Sequence, residues 1–203
     1  MEAQVKSIEE LRELYGEPKE RAVKKQLSKL DVHCNNFISK SPFSVLSSFS
    51  SKGQVDSSPR GGIPGYVKVL NENELVIPDW KGNNRIDSLM NILETSRIGI
   101  LFFIPGMDET LRINGSAVIS IDDELLDVLS ESGKKPKTCI LVTVEEAFLH
   151  CAKALMRSKL WSSDSHLERS EMPTMGQMLK DQIGLNGEPE SQKAMIERYN
   201  EDL

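Results

Sequence analysis

Glu109-Thr-Leu-Arg-Ile-Asn-Gly-Ser-Ala-Val-Ile-Ser-Ile121 is the stretch on which the fold turns. Leu111, Ile113, Gly115, Ala117, Ile119 and Ile121 alternate with polar neighbours, the period of a strand buried on one face, and Gly115 marks a bend. Thr110, Arg112, Asn114 and Ser116 fall on the other face, which either meets solvent or lines a cleft. Before it, Ile98–Ile104 (IGILFFI) is continuously apolar, as expected of a strand covered on both faces. After it, Thr138–Val144 (TCILVTV) is the last strong strand. Phe43–Phe49, the Lys52-Gly53 turn and Gln54–Ser58 predict one hairpin. Tyr66–Leu70, Asn71-Glu-Asn73 and Glu74–Ile77 predict another. Six or seven strands at hairpin spacing, with one short helix between them, favour a mostly antiparallel β-barrel with flanking helices over a βαβ fold.

Helices flank this middle. Ser7–Tyr15 carries Ile8, Leu11 and Leu14 at helical spacing behind a Ser7/Glu10 capping box. Lys19–Ser39 reads as a second helix with Val23, Leu27 and Leu30 on one face. Asn83–Glu94 has an Ile86, Leu89, Met90, Leu93 stripe and Asn84 as its expected N-cap. Glu145–Trp161 reads as a helix after the last strand. A polar tail follows, with Thr174/Gln177 as a further capping box and Ser191–Tyr199 as a short terminal helix. The organisation is therefore an N-terminal helical extension (1–41), a barrel domain (42–161) and a polar helical tail (162–203).

Composition narrows the function. The chain of 203 residues has a net charge of −6, so it offers no global field to nucleic acid or anionic lipid, and any anion must be held by a local cationic pocket. Aromatic residues at 5% argue against a base-stacking platform. Cys34, Cys139 and Cys151 lack CxxC spacing, and His33, His150 and His166 are far apart, so no metal site is indicated. An acidic N-terminus without an apolar run and an apolar maximum of seven residues (Ile98–Ile104) point to a cytoplasmic protein without a membrane span. GxSxG, HExxH, GxGxxG and P-loop motifs are absent, and no nucleophile–base pair can be argued. Catalysis, if present, rests on a bound cofactor.

Four cationic constellations remain. Ser57-Ser58-Pro59-Arg60-Gly61-Gly62 sets a bidentate cation beside two permissive glycines, or is a solvated turn. Pro78-Asp-Trp-Lys-Gly-Asn-Asn-Arg85 leads into a helix whose free amides suit phosphate. Arg85 there either faces an anion or pairs with Asp87 or Asp79. Arg112 lies on the polar strand face. His150, Lys153, Arg157 and Trp161 share one face of the expected last helix, which is a site or a solvated surface.

Asp56-Ser-Ser-Pro-Arg-Gly61, Ile77-Pro-Asp-Trp-Lys-Gly-Asn-Asn-Arg-Ile-Asp-Ser-Leu89, Ile104-Pro-Gly-Met-Asp-Glu-Thr-Leu-Arg-Ile-Asn-Gly115 and His150-Cys-Ala-Lys-Ala-Leu-Met-Arg-Ser-Lys-Leu-Trp161 together resemble the pyridoxamine 5′-phosphate oxidase-like family, closest to its branch of flavin-dependent enzymes without assigned substrates. The resemblance covers about Leu27 to Trp161. It implies a split β-barrel homodimer with FMN at the subunit interface and a small-molecule substrate. It implies that Arg60, Arg85, Asn83 and Asn84 hold the FMN phosphate, with Ser58 and Ser88 in reach. Ile77, Pro78 and Asp79 then run beside the isoalloxazine, and Arg112, Arg157 and Trp161 complete the pocket, supplied by the same subunit or by its partner. The substrate-phosphate signature of true pyridoxamine-phosphate oxidases is not found near the C-terminus. The expected function is an FMN-dependent oxidoreductase. The alternatives are a non-catalytic flavin or tetrapyrrole binder on the same barrel and a purely structural dimerisation barrel.

Overall fold

A computed structural model describes residues 4–201. Seven strands, β1 (Phe43–Phe49), β2 (Val55–Gly61), β3 (Lys68–Asn71), β4 (Glu74–Asp79), β5 (Arg97–Phe103), β6 (Thr110–Ser120) and β7 (Thr138–His150), form one antiparallel sheet in the order β2-β1-β5-β6-β7-β4-β3. Both expected hairpins form, β1 with β2 and β3 with β4, and they sit at opposite ends of that order.

The sheet does not stay flat. Arg60 at the end of β2 donates to the Asp79 carboxylate on β4 at 2.6 Å. Those strands are five places apart in the sheet, about 24 Å if it were planar. The Tyr66 and Ser44 hydroxyls, 2.6 Å apart, make a similar stitch between the approach to β3 and β1. Two polar contacts across such a span require the sheet to curl until its ends meet, which is the split barrel.

The alternation predicted for β6 holds. Leu111, Ile113 and Ala117 are buried in the principal core with Leu46, Leu75, Ile77, Ile100, Phe102, Ile140 and Val142. At Asn114/Gly115 the β6–β7 register shifts, and a Cβ on Gly115 would lie 2.0 Å from the Thr143 carbonyl oxygen. Gly115 is thus required by close backbone approach at a bulge. β4, not β5, is the strand covered on both faces. Ile77 enters the principal core, while Val76 packs with Leu126, Leu129 and Cys139 beneath α5 (Asp123–Val128). In β5, Ile98, Ile100 and Phe102 are buried and the residues between them only half so.

Three helical expectations are corrected. The stretch 19–39 is not one helix but α2 (Glu20–Lys24) and α3 (Val32–Lys40), after α1 (Ile8–Tyr15). Between α2 and α3, Leu27 exchanges backbone hydrogen bonds with Ala147 in both directions at 2.9 Å, and Asp31 restarts the helix by accepting from the Cys34 N–H at 2.8 Å. The central helix α4 is Asp87–Thr95, beginning four residues later than expected and with Ile86, not Asn84, at its N-cap. The stretch 145–161 is strand as far as His150, because β6 pairs with it through Thr110↔His150, and then only the short α6 (Lys153–Ser158).

The chain divides into two compact units, the first ending at Ala154 and the second beginning at Leu155. The second contains two 3₁₀ turns, α7 (Met175–Ile183) and α8 (Gln192–Asn200). Thr174 and Ser191 cap these helices, and Arg198 grips Glu190 through two hydrogen bonds of 3.0 and 2.9 Å. A Cβ on Gly176 would stand 2.2 Å from the Glu190 carbonyl oxygen, so glycine lets the segment before α8 lie against α7. No described helix is long and apolar enough to cross a membrane.

Candidate functional site

The end of β2, the end of β4, the following loop and the first turn of α4 enclose a cavity of about 580 Å³. It falls within the ordinary range for ligand sites, roughly 300–1,000 Å³. Seven of the twelve residues expected from the sequence line it: Ser58, Arg60, Asp79, Asn83, Asn84, Arg85 and Ser88. Four cations (Arg60, Lys81, Arg85, Lys137) face three carboxylates (Asp56, Asp79, Asp87), a positive balance inside a chain of net charge −6.

Each side chain is positioned by its strand or turn. In β2, Ser58 and Arg60 lie two apart and share a face. The Arg60 guanidinium is about 20% exposed, held by Asp79, and its Nε is buried with no hydrogen-bond partner. The Thr138 hydroxyl, opposite Asp79 across the β4–β7 ladder, is also buried and partnerless, and Thr138 lines the same cavity. Buried polar atoms left unmatched are costly. Two of them at one cavity wall suit a ligand carrying oxygens.

The approach to α4 is strained. Asn84 and Ile86 have φ of 61° and 51°, the left-handed region, which is a genuine outlier for a β-branched residue. Ile86 at the N-cap has no side-chain acceptor to offer the first-turn amides. Uncapped amides at the positive end of a helix are an anion-binding arrangement. Arg85 precedes the helix rather than sitting in its first turn. Its Nε donates to Asp87 at 2.9 Å, and that carboxylate pushes the guanidinium pKa further up. Asn83 accepts from the Arg85 N–H at 3.1 Å, and Ser88 donates to Asp56 at 2.5 Å.

Of the other expected residues, those in the first unit do not line this cavity within a single chain. Ile77 is fully buried in the core, and Pro78 borders a separate recess of only about 30 Å³. Arg112 is exposed on β6, 5.4 Å from the Phe148 ring centroid, and does not line the cavity. Arg157 and Trp161 belong to the second unit, and His150, expected beside them on one helix, is in β7. Lys137 and Thr138 were not singled out from the sequence. Only the pairing Asp79↔Thr138 brings them to the cavity, and no local pattern encodes that register.

A sequence model of the family described as pyridoxamine 5′-phosphate oxidase matches residues 30–151, more than half of the chain. None of the curated proteins matches it. Among solved structures, the HupZ protein of Group A Streptococcus is 15% identical, with a TM-score of 0.49, covering 59% of this chain and 93% of its own. An FMN-binding protein from Syntrophomonas wolfei is 14% identical, TM-score 0.43, covering 70% and 96%. An FAD-binding protein from Mycobacterium smegmatis is 10% identical, TM-score 0.43, covering 61% and 97%.

Proposed function

The chain belongs to the pyridoxamine 5′-phosphate oxidase family, and from that premise we propose that the cavity between β2, β4 and α4 binds FMN and serves an oxidoreductase. The observation that carries this reading is the convergence of Arg60, with its partnerless Nε, on the uncapped N-terminus of α4. The FMN-binding and FAD-binding proteins among the solved structures are in keeping with a flavin. The residues present fit its phosphate. Arg60 and Arg85 supply charge-assisted donors, the first-turn amides of α4 supply directed N–H groups, and Asn83, Asn84, Ser58 and Ser88 supply neutral polar contacts.

When bound, a flavin supplies two-electron redox chemistry from its isoalloxazine ring. The chain's own residues bind and orient. Asp79 holds Arg60 in place at 2.6 Å, fixing where its free Nε points. Lys137 and Lys81 add positive field along the same wall, which favours anionic forms of whatever sits there. A homodimer belongs to this reading, a second copy covering exposed apolar side chains of the sheet such as Val118 and Phe49.

The test is a titration of the purified protein with FMN, followed by flavin absorbance and fluorescence. Saturable binding is expected. Arg60→Ala should weaken it by about 1.5–3 kcal/mol, roughly ten- to a hundredfold. Exposed Arg85, already committed to Asp87, should matter less. Colourless protein with no saturable fluorescence change overturns the reading. A second reading, a flavin binder without turnover, is favoured by one observation: each carboxylate lining the cavity is engaged, Asp56 by Ser88, Asp79 by Arg60 and Asp87 by Arg85. Anaerobic reduction by NADH or NADPH followed by multiple turnovers with an acceptor separates the two.

A further inference from the structure

Away from that cavity, α1 is capped at both ends and covered by nothing. Ser7 accepts from the Glu10 N–H at 3.2 Å, and the Glu10 carboxylate accepts from the Lys6 N–H at 2.7 Å. Gly16, at φ 68°, closes the last turn through its N–H to the Arg12 carbonyl. Yet no residue of α1 is buried. Ile8, Leu11 and Tyr15 fall at i, i+3 and i+7, a single stripe, and are 72%, 44% and 82% exposed. Isolated helices shorter than about 12–15 residues are marginal in water, so one of 8 residues needs a surface to lie on.

The flank of that stripe is acidic. Glu9, Glu10, Glu13 and Glu17 stand against Arg12 alone over residues 9–17. Glu9 and Glu13 lie one turn apart, and neither makes an ion pair among the described residues. The opposite character occurs later in the same chain. Ala147–Ser163 carries Lys153, Arg157 and Lys159 and no carboxylate. Lys153 and Lys159 are exposed without an ion pair among the described residues, and Met156 and Leu160 are exposed between and beside them. Both segments start from one anchor on the barrel. Leu27 exchanges backbone hydrogen bonds with Ala147, and Lys25 Nζ donates to the Leu149 carbonyl, with α1 upstream of the first pair and Lys153–Leu160 downstream of the second.

We propose that α1 docks on the Lys153–Leu160 segment of a second copy of this chain. Its Ile8, Leu11, Tyr15 stripe covers Met156 and Leu160, and its Glu9, Glu13 flank meets Lys153 and Lys159. Charge selects this occupant. The acidic flank is repelled by most of a surface of net charge −6, and the stretch without carboxylates is where sign and apolar surface both match. Opposite charges around an apolar contact fix its register and exclude other partners more than they add affinity. Under two-fold symmetry the contact is reciprocal, so one pair of chains forms it twice. None of these residues lines the 580 Å³ cavity, and the inference stands whether or not that cavity binds FMN.

The test is amide hydrogen exchange of Ile8–Tyr15 in the full chain. A docked α1 should exchange about tenfold or more slowly than the free peptide. Lys153→Glu with Lys159→Glu, and separately Glu9→Lys with Glu13→Lys, should each remove that protection, with the melting curve checking that the barrel is intact. Mixing the two reversed chains should restore it, because each then offers the other a matched contact. Met156→Gln, which changes no charge, should weaken the protection independently. The proposal fails if α1 of the parent exchanges at the free rate, or if neither Lys153→Glu with Lys159→Glu nor Met156→Gln lowers its protection. It also fails if mixing restores nothing. Protection regained only when all four reversals are carried on one chain would place the contact within a single copy and overturn the proposal.

Discussion

Ile86 carries the conflict between stability and the proposed function in one backbone angle. At φ 51° it is held where an L-residue costs roughly 1–2 kcal/mol, and its side chain, 52% exposed, recovers little by burial. Asn tolerates that region and caps helices. Ile86→Asn should therefore raise stability by about 1 kcal/mol in urea unfolding, while its carboxamide competes for the first-turn amides and weakens FMN binding. A variant less stable than the parent would show that Ile86 contributes packing that its exposure does not reveal. At this scale much of the site was legible. Arg60 and Arg85 announce themselves as cations beside glycines and a helix start. The engagement of Arg85 with Asp87 was one of the open alternatives, whereas that of Arg60 with Asp79 was not foreseen, because a contact between β2 and β4 depends on how the sheet curls.

Elements were readable wherever one face is dry. The alternation in β6 and the apolar run of β7 fixed those strands locally. The failures come from segments whose state is set by a distant partner. Glu145–Trp161 has helical composition, yet it is strand as far as His150 because β6 is there to pair with it and because Arg97 binds Glu145 through two 2.7 Å contacts. Lys19–Ser39 breaks for the same reason, Leu27 being drawn to Ala147. The restart at α3 depends on Asp31, whose carboxyl pKa is lowered from 3.8 mainly by the Cys34 backbone N–H it accepts. A depressed carboxylate stabilises fully above its ordinary pKa, and the contribution is lost as pH falls through the lower folded value. Asp31→Ala should thus cost about 1 kcal/mol at neutral pH. That difference from the parent should shrink in denaturation curves below about pH 3.8. A gap that persists undiminished in acid would mean the ionised cap is not its source.

At the scale of the whole molecule, every buried hydrophobic side chain lies before residue 148, and the unit from Leu155 onward has none among its described residues. A chain ending at Ala154 is therefore expected to show β-sheet circular dichroism and to unfold in one cooperative transition. Loss of cooperative unfolding on truncation would show that the sheet depends on the second unit. The barrel architecture was legible because hairpin spacing and strand count survive errors in individual boundaries. Strand order was not, since β1 with β5 and β4 with β7 are pairings between segments far apart in sequence.

The sheet order also sets a timetable for the nascent chain. The two hairpins β1–β2 and β3–β4 are local and can form as soon as each emerges, but they share no ladder with each other. Only when β5, β6 and β7 have been made is there anything to join them, and β4 must wait for β7, the last strand synthesised. Until then the inner edges of both hairpins are unpaired and open to misassociation. A ribosome pausing before Thr138 would leave Arg60 and Asp79 on separate, unjoined hairpins, so the cavity comes into being late, only when the barrel is drawn closed.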